Sequence, residues 1–313
     1  MNLWKRQVTF EKKITMKHFN LLMLFVIVLA SFACSSKKDE SSSEAKQDTT
    51  AAPPPPPVTL TKKWETDTVL TTCESVLYDD KNNILYVANI NGAPDGKDKN
   101  GFISKVSLDG KVTEVKWAKG MDAPKGMGQF GDKLFVADID KVHEINVKTG
   151  KITKTYKAPD AKFLNDITVD SAGTVFISDS RGGKIYTIEK GKITMYAENL
   201  KGPNGLLSAN GNFYVALWDD KSLNTMDKSK TLTVKTEGIE NPDGIEAIGN
   251  DAYLVSSWNG MVHYIGPDWK KTLVLDTRAD SLNAADIEYI QSKNLLLVPG
   301  FFKNKVVAYE LSR

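Results

Sequence analysis

Pro203-Asn204-Gly205-Leu206 and Pro242-Asp243-Gly244-Ile245 carry the same short tag: a variable residue, then a small residue or Asp, then an aliphatic or Met. Four more copies stand at Glu74-Ser75-Val76, Lys125-Gly126-Met127, Asn165-Asp166-Ile167 and Ala285-Asp286-Ile287. The copies begin at 74, 125, 165, 204, 243 and 285, so the intervals are 51, 40, 39, 39 and 42 residues. Each tag precedes a β-rich run. A repeat of about 40 residues built from short strands is the signature of a propeller, with one four-stranded blade per repeat. Equivalent positions of a propeller converge on one axis, and here the variable residues are Glu, Lys, Asn, Asn, Asp and Ala.

The rest of each repeat fits a blade. The tag opens a first strand, and a turn leads to a strongly apolar second one, as in Ile84-Leu85-Tyr86-Val87, Phe213-Tyr214-Val215 and Leu295-Leu296-Leu297-Val298. β-branched and aromatic runs bounded by Gly, Asn and Asp read as strands buried between neighbouring sheets. Third strands alternate, as in Lys184-Ile185-Tyr186-Thr187-Ile188, and short fourth strands follow turns such as Asp109-Gly110 and Thr149-Gly150. The last repeat supplies only three strands, so Thr59–Trp64 is expected to complete it and close the ring. The fold is therefore read as all-β, a six-bladed β-propeller whose N-terminal strand closes the last blade.

Tags and second-to-third-strand loops should share one face. Those loops include Asp179-Ser180-Arg181-Gly182, Trp218-Asp219-Asp220, Trp258-Asn259-Gly260 and Phe301-Phe302-Lys303-Asn304. The longest, 91–100, accounts for the 51-residue first interval. A polar centre ringed by aromatic and charged loops is the form of a small-molecule site.

Composition is that of a globular protein, 41% hydrophobic and 26% charged, with a net charge of +2. Residues 1–34 hold five basic and one acidic residue, leaving 36 basic against 38 acidic elsewhere. That balance, with no basic stripe, argues against a nucleic-acid partner. Residues 1–33 read as a targeting segment: Lys17 and His18 precede an apolar run from Leu21 to Ala33, too short to span a bilayer. Met16 is an alternative start. The segment resembles a lipoprotein signal, which makes Cys34 the lipidated residue, although Ser31 stands where Leu is usual.

Residues 34–57 then form a Ser- and Pro-rich tether ending in Pro53–Pro57, an extended spacer. Lys38-Asp39-Glu40 resembles the surface-export signal of Bacteroidetes-type lipoproteins, or is a plain solvated charge run. The expected location is the outer membrane, at the cell surface or the periplasmic face, with 58–313 as the propeller. Cys73 is expected to be buried and inert, since a bridge to Cys34 would conflict with lipidation.

At the axis, Glu74, Asn165, Asn204 and Asp243 offer two carboxylates and two amides. This all-oxygen set suits a divalent cation, Ca²⁺ first, with Mg²⁺ or Mn²⁺ also possible; zinc prefers His or Cys, and no tag carries either. Asn and Asp also cap tight turns before strands, which would be a purely structural use. Of the histidines, His143 and His263 sit inside third-strand patterns and read as structural. No G-x-S-x-G nucleophile motif is present.

Glu74 ahead of a strand, Pro203-Asn204-Gly205-Leu206, and Pro242-Asp243-Gly244-Ile245 followed by Trp258-Asn259-Gly260 resemble the blade starts of the SMP-30/gluconolactonase/LRE family. The resemblance spans residues 65–313. It implies a six-bladed propeller with Ca²⁺ or Zn²⁺ held by Glu74, Asn204 and Asp243, and with Asn165 on substrate or water. It implies metal-assisted hydrolysis of a lactone or related ester, in which Asp243 takes the proton. Lys125, Arg181, Trp218 and Trp258 are the expected substrate contacts. Two departures stand out. The family's Glu-Gly-Pro opening is Glu74-Ser75-Val76 here, and Lys125 puts a cation at an axial position, where it would repel the metal, replace it or bend to solvent. The alternative is a non-catalytic surface propeller that binds a glycan, a peptide or a partner protein through the same face.

Overall fold

The computed structural model describes residues 58–313. The signal segment, Cys34 and the tether lie outside the described residues. The first strand, β1 (Thr59–Glu65), stands ahead of six sheets. Blade one is β2–β5 (Cys73–Asp79, Ile84–Asn89, Gly101–Val106, Val112–Met121) and blade two is β6–β9 (Pro124–Phe130, Lys133–Asp138, Lys141–Asn146, Ile152–Lys157). Blade three is β10–β13 (Leu164–Val169, Val175–Asp179, Lys184–Glu189, Lys192–Ala197). Blade four is β14–β17 (Pro203–Ala209, Asn212–Leu217, Ser222–Met226, Leu232–Glu237). Blade five is β18–β21 (Pro242–Gly249, Ala252–Ser257, Met261–Ile265, Lys271–Asp276). Blade six is β22–β24 (Glu288–Ile290, Leu295–Pro299, Val306–Ser312) with β1 as its outer strand, in the order β1-β24-β23-β22. Every sheet is four-stranded and antiparallel, and the expected closure holds through Thr59↔Ser312 to Glu65↔Val307.

The core lies between blades, not within them. Second and third strands are buried on both faces, as in β11 and the middle of β12, because each is covered by a neighbouring sheet. Leu254, Val262, Leu296 and Val307, for example, pack together across blades five and six. Outer strands are half exposed and carry lysines and threonines, as in β9 and β13, which blunts their open edges.

Two expectations need correction. The last tag does not begin a strand: Ala285 and Asp286 precede β22, with the Ala285 N–H bonded to the Pro299 carbonyl and the Asp286 N–H to the Glu74 carbonyl. Blade six thus joins blade one by a parallel bridge, Ser75↔Asp286. The first fourth strand is not short either. β5 runs for 10 residues, and with the 91–100 loop it accounts for the long first interval.

Candidate functional site

Five of the six tags are β-bulges. The register between first and second strands slips at Cys73/Ser75, Pro124/Met127, Leu164/Ile167, Pro203/Leu206 and Pro242/Ile245. An extra residue in one strand bends it and re-aims a side chain. Here the slips coincide with Glu74, Lys125, Asn165, Asn204 and Asp243, all of which line one central cavity. Two bulges are pinned from the second strand, where Ser178 Oγ accepts from the Asp166 N–H (2.9 Å) and Ser256 Oγ from the Gly244 N–H (2.8 Å).

At Gly205 and Gly244 the residue after the axial one must be small because neighbouring first strands nearly touch. A Cβ on Gly205 would lie 1.8 Å from the Asp243 carbonyl oxygen, and one on Gly244 would lie 2.6 Å from the Ile287 nitrogen. Carboxylates at the ends of second strands fix the entry to two tags. Asp138 accepts from the Asp122 and Ala123 N–H groups (2.8 and 2.7 Å) and pairs with His143 Nε2 at 2.9 Å. Asp179 accepts from the Lys162 and Phe163 N–H groups at 3.0 and 2.8 Å.

The cavity encloses about 590 Å³. Trp218, Trp258 and Phe301 form part of its wall, and Trp258, Phe301 and the exposed Phe302 pack edge to face at the rim. The first-blade loop leans across blades two and three, tied by Lys97–Asp140 at 2.7 Å and by Arg181–Asp95 at 3.0 Å, and its Pro94 lines the cavity.

The axial residues are buried: Glu74 4% exposed, Asn204 1% and Asp243 3%. Glu74 Oε2 and Asn204 Oδ1 are buried without any hydrogen-bond partner among the described residues. Burial, with the Asp243 charge next, raises the Glu74 carboxyl well above its usual range, and Lys125 opposes this. Burial and the Asp166 charge push Asp243 up to about 8 against a hydrogen bond from Asn204. Two carboxyls that resist ionisation, one with an unpartnered oxygen, beside the unpartnered amide oxygen of Asn204 form a site short of positive charge.

The donor set fits a hard divalent cation: the four axial side chains offer only oxygens, and two of those oxygens lack a partner. Among the described residues, no three His, Cys, Asp or Glu side chains come together around a metal-sized point. The set would therefore have to complete itself with the amides of Asn165 and Asn204.

Lys125 neither bends to solvent nor pairs with Glu74. It is 1% exposed, its Nζ donates to the Ala123 carbonyl at 2.9 Å, and it sits 4.4 Å from the Phe163 ring centroid. Arg181 stacks on the same ring, its guanidinium carbon 4.1 Å from the centroid. Ala285, at the sixth axial position, is fully buried in an apolar cluster with Ile90 and Phe301. His143 and His263 lie on β8 and β20, away from the cavity lining. Cys73 is free and buried, and desolvation pushes its thiol up to about 12.

Sequence reasoning missed Phe163, the anchors Asp138 and Asp179, and a second acidic group further along the axis: Asp166, Glu246, Asp286 and Glu288, which line a smaller cavity of about 210 Å³. A signal for the acidic group existed, since two tags carry Asp where the others carry Gly or Ser.

The architecture is that of a six-bladed propeller, and solved structures share this fold. The chain is similar to virginiamycin B lyase from Staphylococcus aureus, at 15% identity over 82% of this chain and 100% of that one, with a TM-score of 0.61. It is also similar to a gluconolactonase from Xanthomonas campestris, at 14% identity over 80% and 87% of the two chains, with a TM-score of 0.61. A chain of a nidogen/laminin complex matches at 17% identity over 65% and 79%, with a TM-score of 0.54. No protein-family model and no curated protein matches the sequence. At these identities the likeness speaks to the fold alone.

Proposed function

We propose that this propeller is a hydrolase of a lactone or related ester that works with a divalent cation, Ca²⁺ first, held by Glu74, Asn165, Asn204 and Asp243. The observation that carries the reading is the pair of partnerless buried oxygens, Glu74 Oε2 and Asn204 Oδ1, beside carboxyls that burial keeps from ionising. The tag motifs and the gluconolactonase among the fold neighbours support it. When bound, the cation would supply Lewis-acid chemistry at the ester carbonyl.

The chain's own residues do the rest. Asp243, held in place by Asn204, is kept protonated by burial in the metal-free site; ionised when a cation is bound, it would then take the proton of the attacking water. Asn165 orients the substrate with its amide. Trp218, Trp258 and Phe301 wall the cavity, lower its polarity and so strengthen each charge interaction inside it. Cys34, if lipidated as the sequence suggests, would hold the enzyme at a membrane; a lipid label that persists in Cys34→Ser would overturn that anchor.

One observation favours a second reading, a binding propeller without chemistry: the aromatic rim extends outward to Phe302, which is 63% exposed. A single series separates the two. The chain is stripped with chelator, reloaded with Ca²⁺, Mg²⁺, Mn²⁺ or Zn²⁺, and assayed on a panel of small lactones, with Asp243→Ala in parallel. Metal-restored turnover lost in Asp243→Ala supports the hydrolase. Metal binding without turnover supports the binding propeller.

A further inference from the structure

The mechanism above leaves the buried ammonium of Lys125 without a task. Three N–H donors project from Nζ, and the Ala123 carbonyl takes one. Among the described residues Lys125 forms no ion pair, yet it lines the cavity and rests on Phe163. Arg181 lines the same cavity against the same ring, and its one ion pair, with Asp95, is exposed and therefore weak.

The charge count of the loaded site decides what can enter. A divalent cation cancels Glu74 and Asp243. Among the ionisable residues lining the cavity that leaves Lys125, Arg181 and Asp219. Asp219 and Arg181 are both exposed at the rim, where water screens them, so the buried charge left over is the positive one of Lys125. A buried cation without a partner is costly, and an anionic group on the ligand removes that cost. Arg181 presents a planar fork that suits a carboxylate, and Lys125 a point charge against the same ring.

We propose that Lys125 and Arg181, both resting on the Phe163 ring in the cavity wall, form a carboxylate-binding subsite. The substrate class is then narrowed to organic acids: a lactone or ester that carries a free carboxylate as well as the bond to be cleaved. This rests on reading the axial cavity as a substrate site, and it places the reacting carbonyl on the Glu74–Asp243 side and the anion on the Phe163 side.

The test is binding, not turnover. The full chain in detergent, with Ca²⁺ present, is titrated with glutarate and with its neutral analogue glutaramide, followed by calorimetry and by the fluorescence of Trp218 and Trp258. The expected result is glutarate bound about tenfold or more tighter than glutaramide. Lys125→Met should lose about tenfold for glutarate and nothing for glutaramide. Arg181→Gln, a surface change that cannot disturb the core, should weaken glutarate about threefold and keeps the test open if Lys125→Met fails to fold.

Equal affinity for the two probes, or undiminished glutarate binding in both Lys125→Met and Arg181→Gln, overturns the subsite. Selective glutarate binding in a protein that hydrolyses no lactone leaves the subsite standing and removes the hydrolase reading. Hydrolysis of neutral lactones without anion preference does the reverse.

Discussion

The same six first strands build two different ends of one axis. At the mouth, Glu74 Oε2 and Asn204 Oδ1 are buried with no partner among the described residues. One to three residues further along, carboxylates are tied to backbone, Asp166 buried and Glu288 half-buried. Asp166 accepts from the Ile167 and Leu206 N–H groups, both at 2.6 Å, and Glu288 from the Tyr78 N–H at 3.2 Å. Burial pushes Asp166 and Glu288 each up to about 7. The difference teaches how to separate a waiting site from a structural one. Buried carboxylates that receive backbone hydrogen bonds stitch first strands together, whereas oxygens left bare at a bulge are set toward something that is not protein.

The largest effect that would sharpen this contrast is on turnover. Asp243→Ala should lower metal-restored lactone hydrolysis at least about a hundredfold while the circular dichroism spectrum persists. An unchanged rate would place the chemistry elsewhere. Next comes stability at the entry to the tags. Asp138→Ala strands the Asp122 and Ala123 N–H groups and the His143 ring, and should cost about 3 kcal/mol in urea unfolding.

Burial works to raise the Asp138 carboxyl, but hydrogen bonds from His143 and from the Ala123 and Asp122 N–H groups outweigh it, and the carboxyl lies below its usual value of 3.8. Its stabilisation is therefore present above pH 3.8 and fades as pH falls through the depressed folded value, so the penalty of the substitution should shrink only in acid. Gly205→Ala, whose Cβ would meet the Asp243 carbonyl, should cost about 2 kcal/mol and weaken metal binding with it.

The lower end predicts a smaller effect of opposite sign. Glu288, raised by burial from 4.5 to about 7, binds its proton more tightly folded than unfolded. Its stabilisation is complete below pH 4.5 and is lost as pH rises through about 7. Glu288→Gln should therefore leave the melting temperature unchanged at pH 4 and raise it at pH 8.5; a parallel shift at both would contradict the assignment. Smallest of all, Phe302→Ala at the exposed rim should change stability by less than about 0.5 kcal/mol.

Much of this was legible in the residues because a propeller repeats its errors and its necessities alike. The tag spacing and the apolar second strands located all six blades, and the missing strand of the last repeat pointed to Thr59–Trp64. The axial residues followed from the same register. The bulges did not: Asn204-Gly205 reads as a turn or a strand start, and only the slip against Leu217 and Val215 shows an extra residue. The lower carboxylates escaped for a related reason. Glu246 and Glu288 alternate like solvent-facing strand residues, and only the convergence of first strands turns that face inward. Phe163 carried no pattern at all, since its role depends on Lys125 and Arg181 arriving from other positions in the chain.

The clasp of blade six has a consequence in time. Lys63 and Glu310, which meet across it at 3.0 Å, are 247 residues apart. At roughly 5–20 residues per second of synthesis, β1 waits on the order of ten to fifty seconds for β24 to be made. Through that interval five blades can assemble, yet the ring stays open with an unpaired strand at its front and the flank of blade five uncovered. A nascent chain of this design is most vulnerable just before completion, and the holding factors of its compartment matter more to it than to a fold that closes locally.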